Sequence, residues 1–413
     1  MHTDLHRRYR DNADAQRAQQ LLSACVHCGF CLETCPTYLE TRDERDSPRG
    51  RIYLIRQLLE TGAAAAPASH HLDRCLNCRS CETTCPSGVQ YAQLAEIGQQ
   101  LSGDAAPQPP LQAAQRKTLR AVISRPALFR RLLRIGQFLR PLLPATLRRQ
   151  IPPRQRRLPV PATGSERTLL VLEGCVQAAA TPHTNDAARR VCAALGITLH
   201  AAPEAGCCGA VQQHLGGAEA ARNNMRRNID AWWPAIEAGA EAIVSSASGC
   251  GAMLADYGRL LADDPVYARR AARVSALARD LGEILVAEDL GRLVADTRCG
   301  TVAVHTPCSL QHALQQPELL PTLLRGAGFT LAETEESPVC CGSAGTYSLL
   351  QPELSQRLRR RKQAALTVNA PAVIATANVG CQLHLANPEV PVVHWIELLD
   401  PARQGAPVNR YGG

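Results

Sequence analysis

The chain is 413 residues long and carries 45 Lys or Arg against 37 Asp or Glu, a net charge of +8, while aromatic residues make up only 4%. This length accommodates two or three domains with ample core. With so few aromatics the core must be built from Leu, Ala, Val and Ile, and a base-stacking surface for nucleic acid is not expected. No apolar run approaches the roughly 18 residues of a membrane span, so any membrane contact would be peripheral.

The cysteine content narrows the class of protein further. Eighteen cysteines would indicate a secreted disulfide scaffold only in a much shorter chain. The opening residues, MHTDLHRRYRDNADAQ, lack the apolar core of a signal peptide. We therefore expect a cytoplasmic protein whose thiols bind metal.

The first element along the chain is a cysteine run that occurs twice. Its spacing, CxxCxxCxxxCP, is found at Cys25, Cys28, Cys31, Cys35 and Pro36, and again at Cys75, Cys78, Cys81, Cys85 and Pro86. Two such runs are the ligand pattern of a protein that binds two [4Fe-4S] clusters, in which the fourth cysteine of each run binds the other cluster. The predicted ligand sets are therefore Cys25, Cys28, Cys31 and Cys85 for cluster 1, and Cys75, Cys78, Cys81 and Cys35 for cluster 2.

Two other roles fit cysteines at this spacing less well. C-x-x-C pairs also form structural zinc sites, but one pair from each run would already supply the four ligands of a zinc ion, so the third and fourth cysteines of each run would be surplus. A disulfide framework is a third interpretation, and the compartment expected above argues against it.

A helix is predicted between the two cysteine runs. Ser47 and Pro48 suit an N-cap and a first helical position. Apolar residues then recur at helical spacing, at Ile52, Ile55, Leu58 and Leu59. Small bacterial ferredoxins join their runs by short strands, so this pattern predicts a helical two-cluster domain over residues 1–105.

Three arginines flank the cysteine runs and are expected near the anionic clusters. They are Arg49, Arg51 and Arg74. A positive charge there would raise a cluster's reduction potential. An ordinary solvated position stays open for each.

The next part, residues 106–165, is predicted to be a basic amphipathic helix followed by a Pro-rich linker. Residues 105–165 contain no Asp or Glu, whereas thirteen Lys or Arg lie between Arg116 and Arg157. An apolar stripe at helical spacing consists of Leu128, Leu132, Ile135, Leu139 and Leu142. Such a helix suits the surface of an anionic membrane. Alternatively, the stripe docks on this protein or on a partner subunit.

The rest of the chain is an internal duplication, predicted as one α/β domain over 166–295 and a second over 296–413. In each copy an apolar run leads to a cysteine, Cys-Cys-Gly follows that cysteine by 32 residues, and a second apolar run leads to Gly-Cys. Apolar runs alternating with helical stretches such as 187–195 predict parallel sheets. The cysteines at the predicted strand ends are Cys175, Cys250, Cys308 and Cys381. Ligands bind at this edge of a parallel sheet.

Adjacent cysteines followed by glycine suit either a cluster or a reactive thiol pair, because glycine lets the backbone approach a bulky inorganic group. Alternatively, they are former ligands kept as small buried hydrophobes. The candidates are Cys175, Cys207, Cys208 and Cys250 in the first copy, and Cys308, Cys340, Cys341 and Cys381 in the second. Cys192 and Cys299 lie outside the repeat and are predicted to be structural.

The order of a helical two-cluster domain followed by two Cys-Cys-Gly domains resembles the glycolate oxidase (glycolate dehydrogenase) iron–sulfur subunits. The resemblance covers nearly the whole chain, and the strings Val26-His-Cys-Gly-Phe-Cys31, Cys35-Pro-Thr-Tyr38 and Ser47-Pro-Arg-Gly-Arg-Ile-Tyr-Leu54 carry it most specifically. The wider group includes lactate-utilisation proteins, the small subunit of anaerobic glycerol-3-phosphate dehydrogenase and heterodisulfide reductases. Membership of one of these related families is the alternative to the glycolate oxidase subunits.

The resemblance implies a function in electron transfer. A partner subunit carrying FAD would oxidise a 2-hydroxy acid, and this chain would pass the electrons to a quinone or another membrane acceptor, on the cytoplasmic face of the inner membrane. The chain has no GxGxxG after a predicted strand. We therefore expect no catalytic residue here, with FAD only on the partner.

The chain departs from heterodisulfide reductases at the end of each repeat. Those proteins end each motif with CxxC, whereas Met253 and His384 occupy the final positions here. The missing thiol argues against disulfide chemistry. It leaves open a third cluster in the C-terminal half, with the second copy favoured and His384 as a candidate ligand.

Overall fold

The computed structural model describes residues 2–63, 66–105, 109–144, 148, 150–155, 157–161, 167–293 and 300–403. The chain divides into two compact units. The first comprises 1–117 and 336–362, and the second comprises 118–335 and 363–413. Segment 336–362, which carries the second Cys-Cys-Gly, thus belongs with the N-terminal part. The four-domain limits given above stay a prediction.

The first unit is helical in its described residues. Its helices are Ala13–Ser23, Cys31–Thr34, Pro36–Thr41, Pro48–Thr61, Ala66–Asp73, Ser80–Thr84, Tyr91–Ala105 and Tyr347–Leu350, with a 3₁₀ turn at Glu44–Asp46; Pro110–Ile123 and Pro352–Thr367 extend past its limits. Leu22, Ile55, Leu59 and Leu94 are completely buried at the centre of its core. Tyr347 donates its hydroxyl to the Arg74 carbonyl at 3.1 Å, which ties segment 336–362 to this unit.

The predicted helix between the cysteine runs is confirmed as Pro48–Thr61. The Ser47 side chain accepts from the Gly50 N–H at 3.0 Å and so caps one of the unpaired donors of the first turn. The helix ends at Gly62, whose φ of +72° is the left-handed conformation that closes many helices. All four residues of the predicted apolar face are buried: Ile52, Ile55, Leu58 and Leu59.

The second unit contains two four-stranded sheets in which every described pair of strands is parallel. The strands are β1 Arg167–Val171, β2 Ile197–His200, β3 Ile243–Ser245, β4 Ala278–Asp280, β5 Val302–His305, β6 Leu331–Ala332, β7 Val373–Thr376 and β8 Val392–His394. The strand order is β2-β1-β3-β4 in one sheet and β6-β5-β7-β8 in the other. The duplication read from the sequence is therefore a duplication of topology, and the predicted fold class is confirmed.

The remaining described helices precede, connect or follow these strands. They are Pro126–Leu139, Gln177–Ala180, Pro182–Ala194, Ala210–His214, Ala218–Glu237, Ser248–Ala255, Tyr257–Leu260, Ala268–Leu277, Leu281–Leu285, Leu319–Gly326, Val379–His384 and Trp395–Leu398, with 3₁₀ turns at Arg140–Leu142, Leu290–Arg292 and Pro401–Arg403 and a π turn at Ser309–Ala313. No described helix is long and apolar enough to cross a membrane.

The sheets are buried on both faces, as all-parallel sheets require. Along β1, Leu169 and Val171 face one core cluster, while Leu170 faces another. In each sheet the chain crosses to opposite sides of the first strand, so the strand order reverses there, and such a reversal opens a crevice at the carboxyl ends of the strands. The predicted strand-end cysteines follow β1, β3, β5 and β7, the central strands.

Candidate metal centres

The two N-terminal cysteine loops have the same backbone conformation. His27 and Gly29 have φ of +56° and +88°, and the equivalent Asn77 and Arg79 have φ of +50° and +62°. Left-handed residues at alternating positions curl each loop, so that cysteines three apart face one centre. The cost falls on the non-glycine residues, since this region disfavours a Cβ. Two segments far apart in the sequence thus adopt the same strained backbone conformation.

One pocket of the first unit, here the inner pocket, is lined by the thiols Cys35, Cys75, Cys78 and Cys81 together with Arg51 and Tyr91. It encloses about 350 Å³, part of it open to solvent. This set is the one predicted for cluster 2. The structure thus brings Cys35 of the first run to the second loop.

A second pocket, here the outer pocket, is lined by Cys25, Cys28, Cys31 and Cys85 and encloses about 450 Å³, again with an open part. Cys81 also reaches its wall. Cys28 is exposed and its neighbour Phe30 is 61% exposed. This set is the one predicted for cluster 1.

The crossing of the fourth cysteines has a local cause. Cys35 and Cys85 have nearly identical extended backbones, with φ and ψ of −81° and 111° for the first and −76° and 113° for the second. Each ends a short helix, and each precedes a proline, which favours that extended conformation. The extended residue turns its side chain away from its own loop. The short helices Cys31–Thr34 and Ser80–Thr84 pack against each other, so the other loop is near.

The residues present fit [4Fe-4S] clusters. Each pocket has four thiols around a space, which is the donor set that an iron–sulfur cubane needs. Burial raises the pKa of Cys31 to about 11 and that of Cys81 well above its usual value. Thiolates in these pockets therefore require compensating positive charge, which a bound metal supplies.

A buried charge network adjoins the inner pocket. Arg51 is 1% exposed; its Nε donates to the His71 carbonyl at 2.7 Å and an Nη donates to Thr37 Oγ1 at 3.1 Å. The carboxylate of Asp46 lies 3.7 Å from Arg51, and it also accepts from His71 Nδ1 at 2.8 Å and Arg74 at 2.7 Å. The expectation that Arg51 lies near a cluster site is met by this geometry.

Arg49 is placed differently, at the rim of the outer pocket. Its Nε donates to Glu44 Oε1 at 2.6 Å, and an Nη reaches the His27 carbonyl at 3.5 Å. Arg49 and Glu44 are both partly exposed. The cation near this pocket is therefore neutralised by a carboxylate and screened by water.

In the first repeat the structure brings together Cys175, Cys207, Cys208 and Cys250. The Cys175 thiol donates to Cys207 Sγ at 3.7 Å. Hydrogen bonds from Cys175 and Cys208 hold the pKa of Cys207 well below its usual value, because they favour its thiolate. Cys208 also forms a hydrogen bond with Cys250. Its hydrogen bonds to Cys207 and Cys250, together with burial, raise the pKa of Cys208. Hydrogen bonds thus link the four thiols in a chain from Cys175 through Cys207 and Cys208 to Cys250.

A layer of polar side chains holds this thiol group, and sequence reasoning missed it. Asn228 donates to the Cys207 carbonyl at 3.0 Å and to the Tyr257 hydroxyl at 3.0 Å, and Tyr257 donates to the Cys208 carbonyl at 2.9 Å. Both side chains are completely buried. The available signal was the position of Asn228, a polar residue on the buried face of the amphipathic helix Ala218–Glu237.

The glycine of Cys-Cys-Gly has the same role in both copies. Gly209 has a φ of +96° and Gly342 a φ of +86°. Each N–H donates to the sulfur two residues before it at 3.5 Å, to Cys207 in the first copy and Cys340 in the second. A Cβ at Gly342 would lie 2.8 Å from the Ser355 carbonyl oxygen, and one at Gly209 would lie 3.2 Å from that of Ala221.

The candidates of the second copy fall in both units. Cys340 and Cys341 belong to the first unit and are buried. The other three, Cys308, Cys381 and His384, belong to the second. Of these, Cys381 Sγ accepts from the Asn378 amide at 3.6 Å.

The two cysteines outside the repeat have different outcomes. Cys192 is completely buried in an apolar core, and burial raises its pKa to about 12, as suits a structural role. Cys299 lies outside the described residues.

Two four-thiol pockets on matching loops, joined to two repeated parallel-sheet folds, define an iron–sulfur protein. Models of known families agree: a 4Fe-4S dicluster domain matches residues 21–89, and a cysteine-rich domain matches 169–255 and 302–386. The chain therefore binds [4Fe-4S] clusters.

Sequence comparison with known proteins identifies the family of iron–sulfur proteins to which the chain belongs. The chain is 48% identical over 406 residues to the glycolate oxidase iron-sulfur subunit of Escherichia coli strain K12, spanning 97% of this chain and 99% of that one. It is 31% identical to a probable glycolate oxidase iron-sulfur subunit of Bacillus subtilis strain 168 over 87% of each chain. Lactate utilization protein A of Shouchella clausii is 28% identical over 43% of this chain. The chain belongs to the family of glycolate oxidase iron-sulfur subunits.

Proposed function

We propose that this chain carries electrons from the FAD of a partner subunit, where glycolate is oxidised to glyoxylate, to a quinone or another membrane acceptor. The eight-cysteine constellation of the first unit carries this proposal, because paired clusters serve electron transfer. The oxidation yields two electrons, and two clusters each accept one. Cys25, Cys28, Cys31 and Cys85 would bind cluster 1, and Cys75, Cys78, Cys81 and Cys35 would bind cluster 2.

The choice of glycolate rests on the relatives. The identity to the glycolate oxidase subunits extends over most of the chain, whereas that to lactate utilization protein A covers less than half. Substrate selectivity would reside on the flavin subunit. Purification with the partner subunits, followed by rates with glycolate, D-lactate and glycerol 3-phosphate, tests the assignment. Turnover of D-lactate or glycerol 3-phosphate but not glycolate would overturn it.

Membrane contact through residues 116–157 is part of the same proposal. The apolar stripe lies on Pro126–Leu139 and the turn after it. Leu132 and Ile135 are about half exposed, and Phe138 and Leu142 are both 83% exposed. The described part of the chain therefore leaves this face open. Arginines flank it and no acid lies in 105–165, so the face complements an anionic lipid surface.

A vesicle assay tests this contact. We expect the chain to co-sediment with phosphatidylglycerol vesicles and not with phosphatidylcholine vesicles. The double variant Phe138→Ser, Leu142→Ser should lose that binding. Leu111→Ser is the control, because Leu111 is equally exposed at 82% but lies off the stripe. Binding that survives the double variant would contradict membrane contact through this face. Absence of binding in the unaltered chain would leave a partner subunit as the occupant.

We also propose a further metal centre at Cys175, Cys207, Cys208 and Cys250. The sulfurs of Cys175 and Cys207 are 3.7 Å apart. A tetrahedron with metal–sulfur arms of about 2.3 Å has edges of about 3.8 Å. The first repeat thus suits a single tetrahedral ion, whereas a cubane needs a space between its ligands. A third cluster involving Cys308, Cys340, Cys341, Cys381 or His384 stays a prediction.

Metal analysis of anaerobically purified full chain tests these assignments together. We expect about eight irons with matching acid-labile sulfide for two clusters and about one zinc for the tetrahedral site. About twelve irons would place a third cluster in the C-terminal half. Zinc without iron would overturn the electron-transfer function.

A further inference from the structure

The two pockets of the first unit differ in the charge around them, although their loops match. Beside the inner pocket, Arg51 and Arg74 share the single carboxylate of Asp46. Two cations and one anion leave a net charge of at least +1, whichever form His71 takes. Beside the outer pocket, Arg49 is paired one-to-one with Glu44, which leaves no net charge.

The two environments also differ in how strongly water screens them. Arg51 and Asp46 are 1% and 0% exposed, whereas the Glu44 side chain is 55% exposed. A charge acts over a longer range in a buried, low-dielectric site than at the surface. The charge of Arg51 therefore acts on the inner pocket with little screening, whereas Arg74, at 29% exposed, is screened more.

A hydrogen-bond relay connects Arg51 to a ligand sulfur. Arg51 donates to Thr37 Oγ1, and that oxygen lies 3.2 Å from Cys35 Sγ. A metal-bound cysteine is a thiolate and only accepts, so the Thr37 hydroxyl is the donor across this contact. In the structure the hydroxyl donates its one hydrogen to the Asp46 carbonyl at 2.7 Å, so a thiolate at Cys35 must draw that hydrogen away from the carbonyl to complete the relay. Arg51 polarises the hydroxyl and holds it against the sulfur.

From this asymmetry we propose that Arg51, acting directly and through Thr37, raises the reduction potential of the cluster in the inner pocket above that of the cluster in the outer pocket. Reduction adds one negative charge, which a nearby buried cation and a donor to a ligand sulfur both stabilise. An electron that enters the pair therefore settles in the inner pocket. The inference rests on the two-cluster function proposed above and assigns the direction of transfer within it.

Redox titration of the full chain followed by EPR measures both potentials. We expect two separate midpoints, with Arg51→Gln lowering the higher one and leaving the lower one in place. Arg51→Lys, which keeps the charge, should retain most of the difference. Arg49→Gln is the matched control at the outer pocket and should shift its cluster's midpoint much less, because Glu44 and water already screen that cation.

Thr37→Val decides the outcome if Arg51→Gln fails to retain iron. This variant keeps the side-chain shape and removes the hydroxyl that links Arg51 to Cys35, so the higher midpoint should fall by part of the Arg51→Gln effect. Unchanged midpoints in Thr37→Val, or in an iron-replete Arg51→Gln, would overturn the inference. Normal iron and EPR signals with unchanged midpoints would leave the electron-transfer function standing, whereas absence of iron would overturn that function instead.

Discussion

The two N-terminal pockets and the thiol group of the first repeat each assemble four cysteines, but they do so differently. In the pockets the thiols line the walls of spaces of about 350 and 450 Å³. In the first repeat neighbouring sulfurs are in contact, with 3.7 Å between Cys175 and Cys207. The pockets are built on curled loops, whereas the thiol group lies at the ends of β1 and β3 and beside the Cys-Cys-Gly turn.

The difference shows that cysteine count alone does not define a metal site. A loop with alternating left-handed residues holds its ligands around a volume and suits a bulky cluster. Strand ends supported by Asn228 and Tyr257 hold sulfurs together and suit one small ion. Under the proposed assignments, the backbone that carries the thiols determines the size of the group that they bind.

The largest effect is expected from breaking the crossed ligand sets. Cys85→Ser should abolish the same EPR signal as Cys25→Ser, because both line the outer pocket, whereas Cys35→Ser should abolish the other. Each should lower the iron content by about four per chain. Cys192→Ser is the control and should leave iron unchanged, since Cys192 lies in an apolar core. If the single variants Cys25→Ser and Cys35→Ser abolished the same EPR signal, the crossing of the ligand sets would be contradicted.

Removing a thiol from the first repeat should show whether its metal site is independent of the N-terminal clusters. Cys208→Ser should eliminate bound zinc and lower thermal stability, because the remaining three sulfurs no longer close a tetrahedron. The EPR signals of the N-terminal clusters should stay unchanged. A loss of iron in this variant would show that a cluster, and not a single ion, occupies the first repeat.

Acid should destabilise the second unit through His394. Burial lowers its pKa to about 4, and its Nε2 donates to the Ser246 carbonyl at 2.7 Å, next to the turn that leads to Cys250. A folded pKa below the unfolded value of about 6.5 means that stability is full above pH 6.5 and is lost as the pH falls toward 4. The contribution of His394 to this loss should approach about 3 kcal/mol. Burial raises the pKa of Asp280 in the same unit to about 7, which acts in the opposite direction, so the difference between the protein and a His394 variant isolates the contribution.

Denaturant unfolding between pH 7 and pH 4, followed by tryptophan fluorescence, measures this loss. The second unit contains all three tryptophans of the chain, Trp232, Trp233 and Trp395. His394→Gln should be less stable at pH 7 but should flatten the pH dependence. An equally steep dependence in that variant would exclude His394 as the cause.

The smallest effect is expected at the Cys-Cys-Gly turn. Gly209→Ala places a Cβ at a φ of +96° and 3.2 Å from the Ala221 carbonyl oxygen, so it should cost about 1–2 kcal/mol of strain plus some crowding. Gly239→Ala is a matched control with a φ of +94° and nothing within 4 Å of the new Cβ. Thermal unfolding should rank Gly209→Ala as the less stable variant. Equal losses would mean that backbone strain alone accounts for the glycine.

Much of this architecture could be predicted from the sequence, because local patterns encode it. The helix after Ser47 and the apolar runs of β1, β3, β5 and β7 follow from capping and hydrophobic periodicity. Other features depend on residues distant in sequence. No local pattern reveals that Arg51 shares Asp46 with Arg74, that Asn228 supports Cys207, or that segment 336–362 joins the N-terminal unit.

The most direct test of the central claim is iron and acid-labile sulfide analysis, combined with EPR, on the dithionite-reduced full chain prepared without oxygen. Two clusters predict about eight irons and eight sulfides and signals from two reduced centres. Protein that contains zinc but neither iron nor sulfide would contradict the account.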